Sequence, residues 1–380
     1  MTIVHVMKMT GVAGAEKHLL LLAAGLRARS LQAHVVMLVE PGNPVQAFRD
    51  AAAAEGIPTH ALVIQADADP TLLPRLRRTL RMMRPCVVHT HLLHADVYGI
   101  PAARLAGVPV VVTSRHNDNA FRRRGGFRQL NRALWAGVDA GIAISESVRR
   151  FAVEIEGAPP AKMRTIPYGI ALERLQPADL AALRDSVRAE LEAAPDELLV
   201  GMACRLVEQK GVQYGIRAFT SLRDRFAAAR LVIAGDGPLR AALEAEARAC
   251  GVANRVRFLG WRDDVPRLLA GFDVLLMPSL WEGFGLVILE AMSRRVPVIA
   301  SRVSAIPEIV ADGETGLLVP PRDADALAAA LALLLGDYVL RRHMGLLAED
   351  RLETHFSAER MVSQTVALYK ELLQRRSKTL

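Results

Sequence analysis

The chain has 380 residues, more than one hydrophobic core organises well, so two or three domains are expected. Apolar residues make up 51% and charged residues 23%, which excludes a disordered chain, and three scattered cysteines (Cys86, Cys204, Cys250) without a Cys-x-x-Cys pair argue for core thiols in a reducing compartment rather than a disulfide framework or zinc site. The net charge of +8 is uneven, with +9 in residues 1–170 and −1 in the rest, so the amino-terminal half is the part suited to anionic partners such as phospholipid or phosphorylated substrates.

The first ten residues have neither a basic leader nor the apolar stretch of a secretory signal, so export is not expected. Short apolar, β-branched runs then alternate with longer segments of helical spacing. Residues 3–7 are followed by 14–29, then 34–39 and 45–55, and so on to a weaker run at 163–166. That alternation predicts parallel strands with crossover helices. After a stretch from Pro167 to Pro195 rich in helix formers, the pattern restarts at 198–203, 211–224, 231–234, 239–249, 256–259 and 273–277. An α/β fold of two doubly wound units is predicted, over residues 1–170 and 171–356, with the loops at the carboxyl ends of the strands lining a shared cleft. Residues 357–373 read as an amphipathic helix able to pack on either unit. The longest uncharged apolar run, 326–335, is about half of the roughly 20 residues that span a bilayer.

Several strand ends carry residues suited to chemistry. Gly11-Val-Ala-Gly14-Ala-Glu follows the first strand and opens a helix, where Gly14 would let a phosphate or sugar touch the backbone. Val88-His-Thr-His91 and Val110-Val-Val-Thr-Ser-Arg-His116 both put imidazoles at the mouth of the sheet. One of His89 and His91 reads as a satisfied core histidine, whereas His116 lies past its strand in a loop. In the second half, Arg205 ends a strand and Lys210-Gly211 opens the next helix, two cations that could clamp a diphosphate. The richest segment runs Met277-Pro-Ser-Leu-Trp-Glu282-Gly283-Phe284-Gly285, then a helix carrying Glu290. Its glycines let backbone approach a ligand, and the helix is expected to aim free N–H groups at it. A Glu pair eight apart is not diagnostic alone, since Glu146 and Glu154 have the same spacing; the strand, turn and helix around Glu282 and Glu290 make the difference.

Together these residues resemble the retaining glycosyltransferases of family 4 (glycosyl transferases group 1), which have the two-domain GT-B fold. The resemblance runs from about Val4 to Tyr369 and includes residues 14–16, 88–91, 139–145, 166–169, Ala234-Gly-Asp-Gly-Pro238 and Glu308. It implies that Arg205 and Lys210 hold the donor diphosphate, Glu290 the ribose, and Glu282 with the backbone of Gly283, Phe284 and Gly285 the transferred sugar. It further assigns Gly14 to the phosphate, His116 to a sugar hydroxyl and the loop around Trp261 to the base, and sends the final helix back to the amino-terminal unit. Tyr168 and Ala171 depart from the Asn and Asp common in relatives. The implied reaction moves a hexosyl or N-acetylhexosaminyl group from a UDP- or GDP-sugar to a glycan or lipid-linked acceptor, with no metal and no resident cofactor.

Two basic stretches suit an acceptor or membrane. Arg77, Arg81 and Arg84 share a helical face, and Arg122, Arg123 and Arg124 follow His116. A cytoplasmic location is expected, peripheral at the inner membrane face if these segments touch lipid. Two other readings compete. A nicotinamide-dependent oxidoreductase lacks its third glycine, since Arg240 stands where Gly235-Asp-Gly237 would need it. A non-enzymatic basic protein binding membrane or nucleic acid leaves Arg205, Lys210, Glu282 and Glu290 unexplained, and no nucleic-acid motif is present.

Overall fold

The computed structural model describes every residue except 10, 12–13, 44, 66–67, 119–124, 173–178 and 379–380. Arg122, Arg123 and Arg124 lie outside the described residues. The chain forms two compact units, Met1–Gly169 with Ala358–Leu380, and Ile170–Ser357.

In the first unit seven parallel strands alternate with helices: β1 (Thr2–Lys8), α1 (Gly14–Ala28), β2 (Gln32–Val39), α2 (Gln46–Ala54), β3 (Thr59–Val63), α3 (Leu72–Met83), β4 (Val87–His91), α4 (Leu92–Leu105), β5 (Val110–Arg115), α5 (Gly125–Ala136), β6 (Ala140–Ala143), α6 (Glu146–Glu154) and β7 (Met163–Thr165). The sheet order β3-β2-β1-β4-β5-β6-β7 reverses direction at β1 and β4. Because helices cover both faces, β4 and β5 are buried along their whole length, the polar residues of their carboxyl-terminal halves included.

The second unit repeats the pattern with α7 (Leu180–Glu190), β8 (Leu199–Ala203), α8 (Val212–Thr220), β9 (Arg230–Ala234), α9 (Arg240–Ala249), β10 (Val256–Gly260), β11 (Val274–Met277), α10 (Leu286–Met292), β12 (Val298–Ser301), β13 (Gly316–Val319), α11 (Ala324–Gly336) and α12 (Tyr338–His355). Its order, β10-β9-β8-β11-β12-β13, reverses at β8 and β11. Asp179, Asp323 and Asp337 cap α7, α11 and α12 by accepting backbone N–H bonds. The apolar run 326–335 lies in α11, which buries Leu327, Leu331 and Leu334 in this unit's core. Among the described residues no helix is long and apolar enough to cross a membrane.

The final helix, α13 (Ala358–Ser377), belongs to the first unit and packs on α1. The approach is close: a Cβ on Gly25 would stand 2.5 Å from a methyl of Val362, and Arg29 donates to the Ser363 hydroxyl at 2.8 Å.

Two local expectations change. The cysteines are free and pack against the cores of their units, but half-buried rather than within them, because each sits at the edge of an element. Before α3, Asp69 closes a turn, accepting from the Gln65 and Thr71 N–H groups and pairing with Arg75 at 2.7 Å. Arg84 falls just past α3 in a left-handed conformation (φ 47°), although it still lines one open groove with Arg77, Arg78 and Arg81.

A buried ion network fixes the end of β5, next to His116. Arg115 pairs with Asp96 on α4 at 2.5 Å and with Glu156 at 2.7 Å, and Asp96 also accepts from the hydroxyls of Thr90 and Thr113. Burial alone would depress the guanidinium's pKa, but the two carboxylates more than reverse this. Replacing Arg115 with Leu would take the guanidinium away from two buried carboxylates. A urea titration should show a loss of about 3–5 kcal/mol in unfolding free energy.

Candidate active site

In the second unit the reversal point brings together the loops after adjacent strands β8 and β11, and four contacts knit them. The Leu280 N–H donates to the Gln209 carbonyl at 2.7 Å and the Gln209 side-chain amide to the Trp281 carbonyl at 3.0 Å. The Lys210 ammonium donates to Glu282, whose carboxylate also accepts from Ser279 Oγ at 2.9 Å. Gly211, in left-handed conformation (φ 60°), lies so close to Pro278 that a Cβ would be 2.1 Å from its carbonyl oxygen.

The predicted donor residues fall around this junction. Glu282 and Phe284 are buried, Lys210, Gly283, Gly285 and Glu290 are half-buried, and Arg205 is exposed. Among the described residues the exposed Arg205 guanidinium makes no hydrogen bond or ion pair, leaving a cation available in the loop that leads from β8 to Lys210. Gly285 (φ 95°) starts α10, and Glu290 is its fifth residue. That helix is only seven residues long, so its end carries a weaker dipole than expected and the positive charge here comes from the side chains. Trp261, 71% exposed, follows β10, the edge strand two places from β8. Sequence reasoning missed Gln209, Ser279 and Ser304, the last accepting from the Glu282 N–H at 3.2 Å. Only Ser279, inside the Pro-Ser turn, carried a signal.

The first unit gathers histidines on one face of its sheet. His5 on β1 is the register partner of His89 on β4, His91 lies two residues on, and His116 lies two beyond Ser114, the partner of His91 on β5. All four are buried, as is His18 of α1. His89 and His91 are thus both partnered core histidines, not one of the two. His89 bonds Tyr369 of α13 at 2.6 Å and Ser114 at 2.7 Å; His91 bonds His5 and His116 at 3.0 Å each. His116 is only 6% exposed, and both its ring nitrogens are engaged, by His91 and by Tyr168 at 2.5 Å. A sugar hydroxyl reaching that ring must take the place of Tyr168. Gly14 begins α1 after β1, as predicted.

Burial lowers the pKa of His5 to about 3, and holds His18, His89 and His91 well below the usual imidazole value, with neighbouring imidazoles adding to the effect. Burial, and then the Glu16 charge, raise Tyr168 well above an ordinary phenol.

Two family models cover most of the chain, glycosyl transferases group 1 over residues 184–351 and a glycosyl transferase 4-like domain over 13–169. The chain is 30% identical over 333 residues to alpha-D-kanosaminyltransferase of Streptomyces kanamyceticus, covering 82% of this chain and 84% of the relative. It belongs to the group 1 glycosyltransferases. A GDP-mannose-dependent alpha-(1-6)-phosphatidylinositol monomannoside mannosyltransferase of Mycobacterium tuberculosis is 32% identical over 328 residues, 80% of this chain and 82% of that protein. The crystal structure of Anabaena Alr3699/HepE in complex with UDP matches the fold with a TM-score of 0.86 and 22% identity over 98% of this chain and all of that one. The two doubly wound sheets are therefore the Rossmann-like units of a GT-B glycosyltransferase, and the oxidoreductase and non-enzymatic readings fall.

Two outcomes follow for this glycosyltransferase. Gly211→Ala forces a Cβ against the Pro278 carbonyl in a strained conformation, and should cost about 1–3 kcal/mol of stability, read by thermal unfolding. The buried histidines make the protein acid-sensitive. Their unfolded forms take up protons near the ordinary imidazole pKa of 6.5 while the folded forms do not, so stability is full above that pH and falls below it towards the depressed folded values. Each of the four contributes about 1.4 kcal/mol per pH unit. The melting temperature should drop steeply from pH 6.5 to pH 5, and a flat profile would contradict neutral burial.

Proposed function

We propose that this glycosyltransferase moves a hexosyl or N-acetylhexosaminyl group from a UDP- or GDP-sugar to a glycan or lipid-linked acceptor, with retention of anomeric configuration, in the building of cell-surface polysaccharide or glycolipid. The observation that carries this reading is the uncommitted Arg205 guanidinium, in the loop that leads from β8 to Lys210 at the β8–β11 reversal point, where doubly wound sheets bind their ligands. Arg205 and Lys210 hold the diphosphate, Glu290 the ribose and the Trp261 loop the base. Glu282 and the Gly283–Gly285 backbone serve the sugar, and Gly14 and His116 of the first unit its phosphate and a hydroxyl. Relatives whose names specify GDP-mannose and a structure holding UDP support a nucleotide-diphosphate donor and leave both bases as candidates.

In the reaction the bond from the anomeric carbon to the donor phosphate oxygen breaks, and a bond to the acceptor hydroxyl oxygen forms on the same face. The departing phosphate takes up the acceptor proton. The two cations meet charge that grows on the diphosphate, and such preorganised groups lower a barrier by several kcal/mol. No divalent ion is needed for that stabilisation, and the transferase is proposed to be metal-independent. The phosphatidylinositol-based acceptor in the mycobacterial relative's name supports a lipid-linked acceptor, and the arginine groove on α3 supports a peripheral site at an anionic membrane face.

Arg205→Ala removes no hydrogen bond or ion pair among the described residues, so it isolates the chemistry. Release of UDP or GDP from its sugar conjugates in the presence of EDTA should fall about 100- to 1000-fold in kcat/KM, with the melting temperature unchanged. Full activity in that variant, or nucleotide release that needs a divalent ion, would refute the assignment.

A further inference from the structure

The histidines of the first unit form more than a cluster. His5, His89 and His91 each bring a ring nitrogen within 4.8 Å of the other two, a spacing that a metal ion could bridge. Hydrogen bonds already occupy both nitrogens of His89 and both of His91, so a metal would have to break bonds on each.

The bonds run in one sense. His5 Nδ1 meets His91 Nε2, His91 Nδ1 meets His116 Nε2, and His116 Nδ1 meets the Tyr168 hydroxyl. A neutral imidazole has one N–H and one lone pair, so each ring dictates the next. Only two arrangements satisfy every link: all three protons on Nδ1, or all three on Nε2. They differ at both ends: the Tyr168 hydroxyl accepts in the first arrangement, with the buried Glu16 charge acting on it as the acceptor side for its own proton, and donates in the second; and His5 Nε2 has no partner among the described residues. The second arrangement strands an N–H donor there and the first strands only a lone pair. Buried orphan donors are the rarer and costlier of the two.

We propose that His5 and His91 are positioning residues that lock His116 as the Nδ1–H tautomer, so that His116 meets a sugar hydroxyl as a hydrogen-bond donor and not as a base. In the free protein that donor is taken by the Tyr168 oxygen, and a sugar hydroxyl that displaces Tyr168 accepts the same bond. The tautomer lock stands on the first unit's geometry alone; its use in transfer rests on the role assigned to His116 above.

Nuclear magnetic resonance of the full chain with 15N-labelled histidine tests the lock without any substrate. At pH 7 His5, His91 and His116 should be neutral with the proton on Nδ1, and an Nε2–H signal from any of them would overturn the proposal. So would a stoichiometric metal whose removal changes these signals. His5→Asp, whose carboxylate only accepts at this position, should draw the His91 proton to Nε2, turn His116 to the Nε2–H tautomer and lower kcat about tenfold with donor KM little changed. His5→Asn, whose amide N–H can stand in for Nδ1–H, should keep the Nδ1–H tautomer and kcat. A folded His5→Asp variant that keeps His116 as Nδ1–H with full kcat refutes the lock. Wild-type tautomers as described in a protein that releases no nucleotide from any UDP- or GDP-sugar would instead sink the role of His116 and leave the lock standing.

Discussion

The second unit's site depends on one ion pair, between Lys210 and Glu282, joining loops that leave adjacent strands in the same direction. An ammonium and a carboxylate this close neutralise one another over part of their surfaces, but the ammonium keeps further N–H donors and Arg205 in the same loop remains unspent. The junction is therefore held together and still cationic. Gly211 makes it possible, because any larger residue would push the Lys210 loop off the Pro278 carbonyl.

The first unit solves a different problem, placing polar rings in a core without exposing them. Unsatisfied imidazoles there would cost several kcal/mol, and the sheet register removes most of that cost by setting His5, His91 and His116 in hydrogen-bonding sequence. Tyr369 completes the face from the last helix, so the carboxyl terminus is part of the unit it returns to. The Asp96–Arg115–Glu156 network holds the strand end from which His116 emerges.

Much of this was legible from residue order. Alternating apolar runs and helical segments gave the two sheets, and glycines and cations at strand ends marked Arg205, Lys210, Glu282 and Glu290. What was not legible needed long-range pairing. His5 sits between Val4 and Val6 and reads as one more core strand residue; its link to His91 exists only through the β1–β4 register. Asp273, read as the first residue of a strand, instead precedes β11, accepts from the Leu199 N–H and pairs with Arg184 and Arg188. The helix after Gly285 ends early, because Arg295 adopts a left-handed conformation before β12.

The diphosphate seat is the central claim, and calorimetric titration separates it from generic nucleotide binding. UDP or GDP should bind at least about tenfold more tightly than the matching monophosphate, and far more tightly than the nucleoside, with the difference shrinking as salt rises. Equal affinity for diphosphate and nucleoside would mean that the cations after β8 do not hold phosphate.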